Sequence, residues 1–273
     1  MKKLLLLLFF SLVPLLLTAQ QHPLPVESAS LLDPGNIQID FGVAHFRDQP
    51  YPLSGLTGNL WKLGNLRFRI SLSDYVELQT DGTLLNLLTV TQRQSAFDSA
   101  VATPNNFTGD IGDFTLWTKF LILNEYRFGV GLSIRFGVQL PNASNESGLG
   151  VDEMNFYSSF LLQKHFIGMW TANFGVGILG DPTQVGNQHD VFLYGFEYNV
   201  PIRESTFCLL QAAGRTGHAG SGIPHLAGGK IGIEQDSNNF IARIFAVINY
   251  SGEDKAKGIE LTIAYSFHAI DTK

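Results

Sequence analysis

One pair of residues in this sequence has the composition of a hydrolytic site. His218 and Ser221 lie in the segment Gly-His-Ala-Gly-Ser-Gly at positions 217–222. A histidine next to a serine can accept the hydroxyl proton and create a nucleophile, provided that a carboxylate or an amide orients the imidazole. Such a pair must be held rigidly, whereas glycines leave the backbone many accessible conformations. The pattern therefore favours an ordinary loop, and a hydrolase is the less favoured alternative.

The remaining histidines and the cysteine do not form a pattern typical of a metal site. His189 and Asp190 are adjacent, so on a strand their side chains point to opposite faces. The other histidines lack the spacing of zinc ligands. Cys208 is the only cysteine, which excludes an internal disulfide and a cysteine-based metal cluster. We therefore expect no metal and no cofactor.

Charged residues occur mainly at alternate positions, opposite apolar residues. Seven cations and seven carboxylates share this arrangement: Arg67, Arg69, Lys119, Arg127, Arg135, Lys230 and Arg243, and Asp40, Glu77, Asp113, Glu153, Glu197, Glu234 and Glu260. Because the two signs are equal in number, the pattern predicts ion pairs between neighbouring elements and argues against a filter for one sign of charge. Only strands can place these side chains together on one face.

The composition restricts the class of protein. Of the 273 residues only 15% are charged, whereas about 25% is usual for a soluble domain. The chain also has 28 glycines and 21 phenylalanines, which excludes a disordered chain and a coiled coil. The net charge is −6 and no basic run occurs, so nucleic acid is excluded as a partner.

Alternation with a period of two dominates the chain. Between positions 127 and 140, every even residue is Phe, Val, Leu or Ile, and every odd residue is Arg, Gly, Ser or Gln. A strand with this pattern has one apolar and one polar face. The same period predicts twelve strands, over 36–46, 59–72, 75–90, 111–123, 126–140, 153–164, 167–179, 189–200, 204–215, 226–235, 239–250 and 257–269. Most of these exceed the ~5–6 residues common in soluble sheets and match tilted membrane strands of ~9–11 residues with extensions.

The connections between these strands alternate in length. Long ones, at 47–58, 91–110, 141–152, 180–188, 216–225 and 251–256, alternate with short turns near positions 73–74, 124–125, 165–166, 201–202 and 236–238. Bacterial outer-membrane barrels have short periplasmic turns and longer outer loops, whereas a soluble sandwich has no reason to sort its loops in this way. We therefore predict an all-β fold, a transmembrane antiparallel up-and-down barrel of twelve strands.

The first residues have the three parts of a secretory leader. Two lysines follow Met1, an apolar run covers 4–17, and Thr-Ala-Gln at 18–20 suits cleavage. The run is shorter than the ~20 residues of a spanning helix. We expect a signal peptide at 1–19, a short periplasmic tail at 20–34 and the barrel domain at 35–273. Because the tail is too short to fold alone, it is expected not to plug the barrel.

Several short motifs resemble a known family. They are Gly-Asp-Ile-Gly-Asp-Phe-Thr-Leu at 109–116, Leu140-Pro141 at a strand end, a glycine-containing loop at 148–150 before Asp152, and Asn-Phe-Gly-Val-Gly at 173–177. Over roughly 109–200 the chain resembles the outer-membrane family described as "MetA-pathway of phenol degradation". The resemblance implies a barrel that passes small hydrophobic or aromatic compounds.

These features predict a passive channel in the bacterial outer membrane for small hydrophobic or aromatic solutes. Twelve strands lie between packed eight-stranded barrels and open sixteen-stranded porins, so we expect a narrow lumen. The expected partners are outer-membrane lipid, the solutes and the outer-membrane assembly machinery, because Ile263, Tyr265 and Phe267 are similar to the terminal assembly signal of such proteins. The alternatives are a barrel enzyme that acts on outer-membrane lipid, and a structural or adhesive barrel.

Overall fold

The computed structural model describes residues 24–96, 105–184, 186–217, 225–252 and 254–270. These residues form a closed antiparallel barrel, in which the last strand pairs with the first. The strands are β1 Asn36–Tyr51, β2 Leu56–Ser71, β3 Val76–Arg93, β4 Phe107–Asp110, β5 Phe114–Leu123, β6 Gly131–Leu140, β7 Asn155–His165, β8 Met169–Gly180, β9 Gln188–Arg203, β10 Thr206–Gly217, β11 Leu226–Ser237, β12 Phe240–Asn249 and β13 Lys257–His268.

The barrel wall has twelve positions although thirteen strands are numbered. Both β4 and β5 pair with β3, and a short interruption at 111–113 separates them. They are therefore two parts of one wall strand, and the predicted twelve-stranded barrel is confirmed. Among the described residues, no helix has the length and apolar character needed to cross a membrane.

The two faces of the wall differ as the alternation predicts. Outward side chains are apolar and exposed, such as Phe41 and Phe160, each 52% exposed, and Ile263, 58% exposed. Inward side chains on the same strands are mostly polar and buried. In lipid every backbone polar group must be paired within the protein, and closure of the sheet pairs the edges of β1 and β13.

Short turns and long connections lie at opposite ends of the barrel. The longest connections, 94–106 and 141–154, lie at the same end. The predicted alternation in length is wrong at two places: the long connection expected at 47–58 covers only 52–55, and the short turn expected at 124–125 covers 124–130. The turn predicted at 201–202 is wrong by three residues, because β9 continues to Arg203. Pro201 pairs with Phe207 next to a register shift, which accommodates a residue that has no N–H to donate.

The predicted strand 126–140 begins later than the alternation suggests. Residues Glu125–Phe128 form a single helical turn, α1, which is capped by the Asn124 side chain and ends at Gly129 with φ 74°. The expectation that Arg127 lines the lumen is therefore wrong, since it lies exposed on this turn. Asparagine at a helix start and glycine at its end are strong local signals, and here they override the period of two.

A bulge in β2 changes which residues face inward. Lys62 is paired with the inward residue Ala44, and Arg67 is paired with the inward residue Asp40. Inward positions are therefore even before the bulge and odd after it. Gly64 has φ 70°, a left-handed conformation that glycine adopts without strain. The bulge keeps Arg67 and Arg69 in the lumen while Lys62 also faces inward.

Candidate functional site

The barrel lumen is the candidate site, and it contains most of the charged residues that the alternation selected. Eleven of the fourteen lie on the inner faces of strands: Asp40, Arg67, Arg69, Glu77, Lys119, Arg135, Glu197, Lys230, Glu234, Arg243 and Glu260. Three do not: Arg127 lies on α1, and Asp113 and Glu153 lie in the connections before β5 and β7. Glu153 precedes β7 because that strand begins two residues later than predicted, and Asp113 lies in the interruption between β4 and β5.

One network of ion pairs joins β2, β3 and β5. Arg67 Nε lies 2.6 Å from an Asp81 carboxylate oxygen, and Arg69 Nε lies 3.0 Å from Glu77. Lys119 Nζ, on the next strand, lies 3.3 Å from the same Glu77 carboxylate. Glu77 and Lys119 are fully buried. Neighbouring strands thus place opposite charges side by side, which offsets the cost of burying each one.

A second network joins β1, β11, β12 and β13, next to the first network in the strand order. Arg243 on β12 lies 2.6 Å from Glu234 and 3.5 Å from Asp40. Lys230 on β11 reaches across β12 to Glu260 on β13, at 2.6 Å. Glu197 is not in an ion pair among the described residues, and it accepts a hydrogen bond from Gln211. The two networks together line a continuous part of the wall from β11 to β5.

Residues 24–32 lie inside the barrel. The Glu27 carboxylate accepts hydrogen bonds from Lys119 Nζ at 2.8 Å and from Gln79 Nε2 at 3.1 Å, and Arg67 Nη1 lies 3.3 Å away. Asn173 holds the backbone of Glu27 through two further bonds, of 2.7 and 2.8 Å. The expectation that the 20–34 tail does not plug the barrel is therefore wrong for its described part. The tail is too short to fold alone, but the wall supplies its partners.

We call residues 24–32 the plug segment. Besides Glu27, the wall binds its backbone at several points: Ser133 Oγ donates to Ala29 O, Lys119 Nζ donates to Ser30 O, and Leu32 N donates to Glu77. Val26 packs against the wall where Gly195 leaves room, since a Cβ on that glycine would lie 3.1 Å from Val26. The plug segment is therefore fitted to this lumen by charge and by shape.

Two apolar clusters also lie inside the barrel. The first, here called the loop-end cluster, combines strand residues with residues of the long connections: Ala44, Phe46, Tyr51, Leu56, Leu60, Leu88, Leu149, Leu209, Phe245, Val247 and Ala256. The second, here called the Trp117 cluster, consists of Trp117, Tyr157, Leu179, Val191 and Leu193, with Leu24 of the plug segment packed against it. The alternation did not predict apolar residues on the inner face.

Hydrogen bonds fold the long connections over the barrel end. Ser54 Oγ donates to Gly148 O at 2.7 Å, and Thr108 Oγ1 donates to Ser147 O at 2.8 Å. Asp113 accepts from the backbone N–H groups of Asn142 and Ala143. Leu149, in the same connection, packs into the loop-end cluster and closes this end with apolar side chains.

The candidate hydrolytic and metal residues do not form a site in the described part of the chain. His218 and Ser221 lie outside the described residues. His189 faces inward, and its Nε2 lies 2.9 Å from Asp181 rather than near a nucleophile. Within the described ranges, no three His, Cys, Asp or Glu side chains are placed to hold a metal ion.

Sequence reasoning missed Glu27, Lys62 and the inward aromatic residues. A signal for Glu27 was present, because the inner faces of β2 to β6 carry four cations, Arg67, Arg69, Lys119 and Arg135, but only two strand carboxylates, Glu77 and Asp81. Such a local excess predicts a carboxylate from elsewhere in the chain. Lys62 could not be found by parity, because the bulge at Gly64 reverses it.

Comparison with solved structures supports the same fold. The COG4313 outer membrane channel from Pseudomonas putida F1 is 15% identical, with 89% of this chain and 99% of that chain covered and a TM-score of 0.63. The KdgM porin is 8% identical, with 85% and 99% covered and a TM-score of 0.50. The fold is that of a bacterial outer-membrane β-barrel. No family model and no curated protein matches the sequence.

The outer face agrees with this assignment. Contact of its exposed phenylalanines, leucines and isoleucines with water would cost free energy, whereas contact with lipid is favourable. The outer-membrane location predicted from the leader and the alternation is confirmed.

Proposed function

We propose that the protein is a passive channel for small hydrophobic or aromatic solutes, and that the plug segment must leave the lumen for full passage. The observation that carries the proposal is the presence of two apolar clusters on the inner face of the barrel. The interior of a water-filled porin is polar. Apolar inner surfaces would instead bind apolar solutes and lower the free energy of their passage.

The Trp117 cluster is suited to aromatic solutes. Trp117 and Tyr157 stack with their ring centroids 5.7 Å apart, and both are almost fully buried. Aromatic rings favour such offset stacking with further rings. The resemblance to the phenol-degradation family supports the same class of solute, and the fold shared with a solved outer membrane channel supports a channel.

The plug segment explains how such a channel stays closed. Its single carboxylate, Glu27, contacts Lys119 and Arg67, and its apolar residue Leu24 packs against the Trp117 cluster. The segment thus occupies both the polar and the apolar part of the lumen. Loss of the Glu27 charge leaves the buried cations without this partner and weakens the anchoring of the segment.

Liposome swelling tests the proposal. We expect liposomes with the Glu27→Gln variant to swell several-fold faster than those with the native chain. We also expect phenyl glucoside to enter faster than both sucrose and the smaller methyl glucoside, because only phenyl glucoside carries an aromatic ring. Glu204→Gln, which removes an exposed carboxylate in a short turn, is the matched control and is expected to behave as the native chain.

Two results would contradict the proposal. Equal swelling of native and Glu27→Gln liposomes would show that the plug segment does not limit passage. Faster entry of sucrose than of phenyl glucoside would show that the apolar clusters do not select the solute.

A further inference from the structure

Arg135 differs from the other cations of the lumen. It lies on the inner face of β6, is 2% exposed, and its Nε and Nη1 atoms have no hydrogen-bond partner among the described residues. Its Nη2 contacts only Pro25 O, at 3.4 Å, beyond the usual range of a strong bond. A guanidinium has five N–H donors, and leaving buried donors unsatisfied is costly.

The surrounding charges do not balance Arg135. The neighbouring network contains Arg67, Arg69 and Lys119, and its carboxylates are Glu27, Glu77 and Asp81. Each of these carboxylates has a cation partner within 4.0 Å. In the part of the chain that the structure describes, no carboxylate forms an ion pair with Arg135. With Arg135 included, this part of the lumen has four cations and three carboxylates.

The guanidinium is held in place and borders a cavity. Its Cζ lies 4.2 Å from the centroid of the Trp117 ring, a cation–π contact that fixes the orientation of the group. A cavity is lined by Arg135, Ser159 and Asn173 on its polar side and by Leu24, Leu193 and Tyr194 on its apolar side. Leu24 and Pro25 belong to the plug segment, so this space widens when the segment leaves the lumen.

We propose that this cavity is a binding site for a small organic carboxylate, with the carboxylate on Arg135 and the apolar body against Leu193 and Tyr194. A guanidinium binds a carboxylate through two parallel hydrogen bonds, which would satisfy the unpaired Nε and Nη donors. The ligand would also supply the missing negative charge. The site rests on the proposed function, because its ligand is a solute in transit, and it narrows the solute class to aromatic acids.

Tryptophan fluorescence can report on this site directly. Of the three tryptophans, Trp61 and Trp170 point outward, and Trp117 alone lies in the lumen beside Arg135. A Trp61→Phe/Trp170→Phe double variant therefore leaves one reporter. In detergent at neutral pH and constant ionic strength, we expect benzoate to change its emission in a saturable way. We expect benzyl alcohol, which has a similar ring but no charge, to bind at least tenfold more weakly.

Substitution of the arginine tests the assignment. In the same background, Arg135→Gln is expected to weaken benzoate binding at least tenfold. Arg203→Gln removes an exposed guanidinium at the short-turn end and is expected to leave the affinity unchanged. Equal affinities for benzoate and benzyl alcohol, or full benzoate affinity in Arg135→Gln, would overturn the proposal. If Arg135→Gln does not fold, as judged by circular dichroism, the comparison of the two ligands still decides.

The outcomes separate this site from the channel function. Arginine-dependent benzoate binding without any solute passage in the liposome experiment would support the site and overturn the channel. Solute passage, together with equal affinities for benzoate and benzyl alcohol, would support the channel and overturn the site.

Discussion

At the scale of single residues, the lumen is organised by the cost of burying charge. Lys119 is fully buried and lies close to Glu27 and Glu77, and it also donates to the backbone of the plug segment. A buried cation of this kind is stable only when its hydrogen-bonding capacity is used. The plug segment is therefore part of what stabilises the inner wall as well as a barrier to passage.

Asp181, at the loop end and outside the membrane-spanning strands, is another buried charge that is stabilised by hydrogen bonds. Its carboxylate is 2% exposed and accepts hydrogen bonds from Thr183 N, Thr183 Oγ1, Asn187 Nδ2 and His189 Nε2, at 2.7–3.1 Å. Burial by itself raises the pKa of Asp181. The hydrogen bonds from Thr183 and His189 outweigh burial and hold the pKa well below its usual range.

We expect Asp181→Asn to lower the free energy of unfolding at pH 7 by about 1–3 kcal/mol, because an amide cannot accept all of these bonds. A lowered pKa means that the stabilisation is complete above the unfolded value of about 3.9 and is lost as the pH falls below it. The difference in the free energy of unfolding between the native chain and the variant should therefore become smaller below about pH 4. Thermal unfolding in detergent from pH 7 to pH 3 measures this.

Asp74→Asn provides the control for this prediction, since Asp74 is an exposed turn residue. If the difference in unfolding free energy between the native chain and Asp181→Asn stayed constant down to pH 3, the charge of Asp181 would not stabilise the connection between β8 and β9.

At the scale of secondary structure, bulges decide which faces of the strands meet lipid. The register of β1 with β2 shifts at Gly42 and Val43, and Gly64 lies in the matching bulge of β2. Without the extra residue, either Lys62 or the pair Arg67 and Arg69 would point outward. Exposure of a cation to the bilayer centre costs about 2–4 kcal/mol in a barrel. The single extra residue of the bulge thus determines whether these cations face the lumen or the lipid.

We expect Gly64→Ala to destabilise the barrel by at least about 1–2 kcal/mol, because an alanine at φ 70° is strained. Its Cβ would also lie 2.9 Å from the Leu84 side chain. Urea unfolding in phospholipid bilayers measures the change. Gly252→Ala is the control, since a Cβ there meets no atom within 4 Å. If both variants lost the same stability, the left-handed conformation of Gly64 would not matter.

At the scale of the whole molecule, two barriers lie in series along the lumen. The plug segment enters beside Gly35 at the short-turn end, where that residue pairs with Ser71 and Ala269. The loop-end cluster closes the opposite end, where Leu149 packs with Leu56 and Leu60. Barriers in series add their resistances, so removal of one raises the flux and removal of both raises it further.

We expect Leu149→Ala and Glu27→Gln to act more than additively on liposome swelling. Each single variant removes one barrier, and the double variant removes both. Leu84→Ala, which truncates an outward leucine at the lipid face, is the control in both backgrounds. A double variant whose swelling rate is no higher than the sum of the two single effects would contradict the arrangement in series.

Much of the fold could be predicted because the relevant signal is local. A period of two is read from neighbouring residues, and in a barrel it determines at once the strands, their two faces and the match of one face to lipid. The turn at Asn124 and Gly129 also carried a local signal, which the alternation obscured. The ion pairs within the wall follow from strand order, as for Arg69 and Glu77, eight residues apart.

The alternating pattern was enough to predict an exported, twelve-stranded barrel with a lipid-facing exterior. The folded barrel was needed to show that Glu27 lies in the lumen, that Lys62 faces inward, and that Arg135 forms no ion pair with a carboxylate of the described residues. The physical reason is distance along the chain: Glu27 meets Lys119 and Asn173 across 92 and 146 residues. Contacts of this range depend on barrel closure and on a bulge that shifts parity, and neither is encoded in any short stretch of residues.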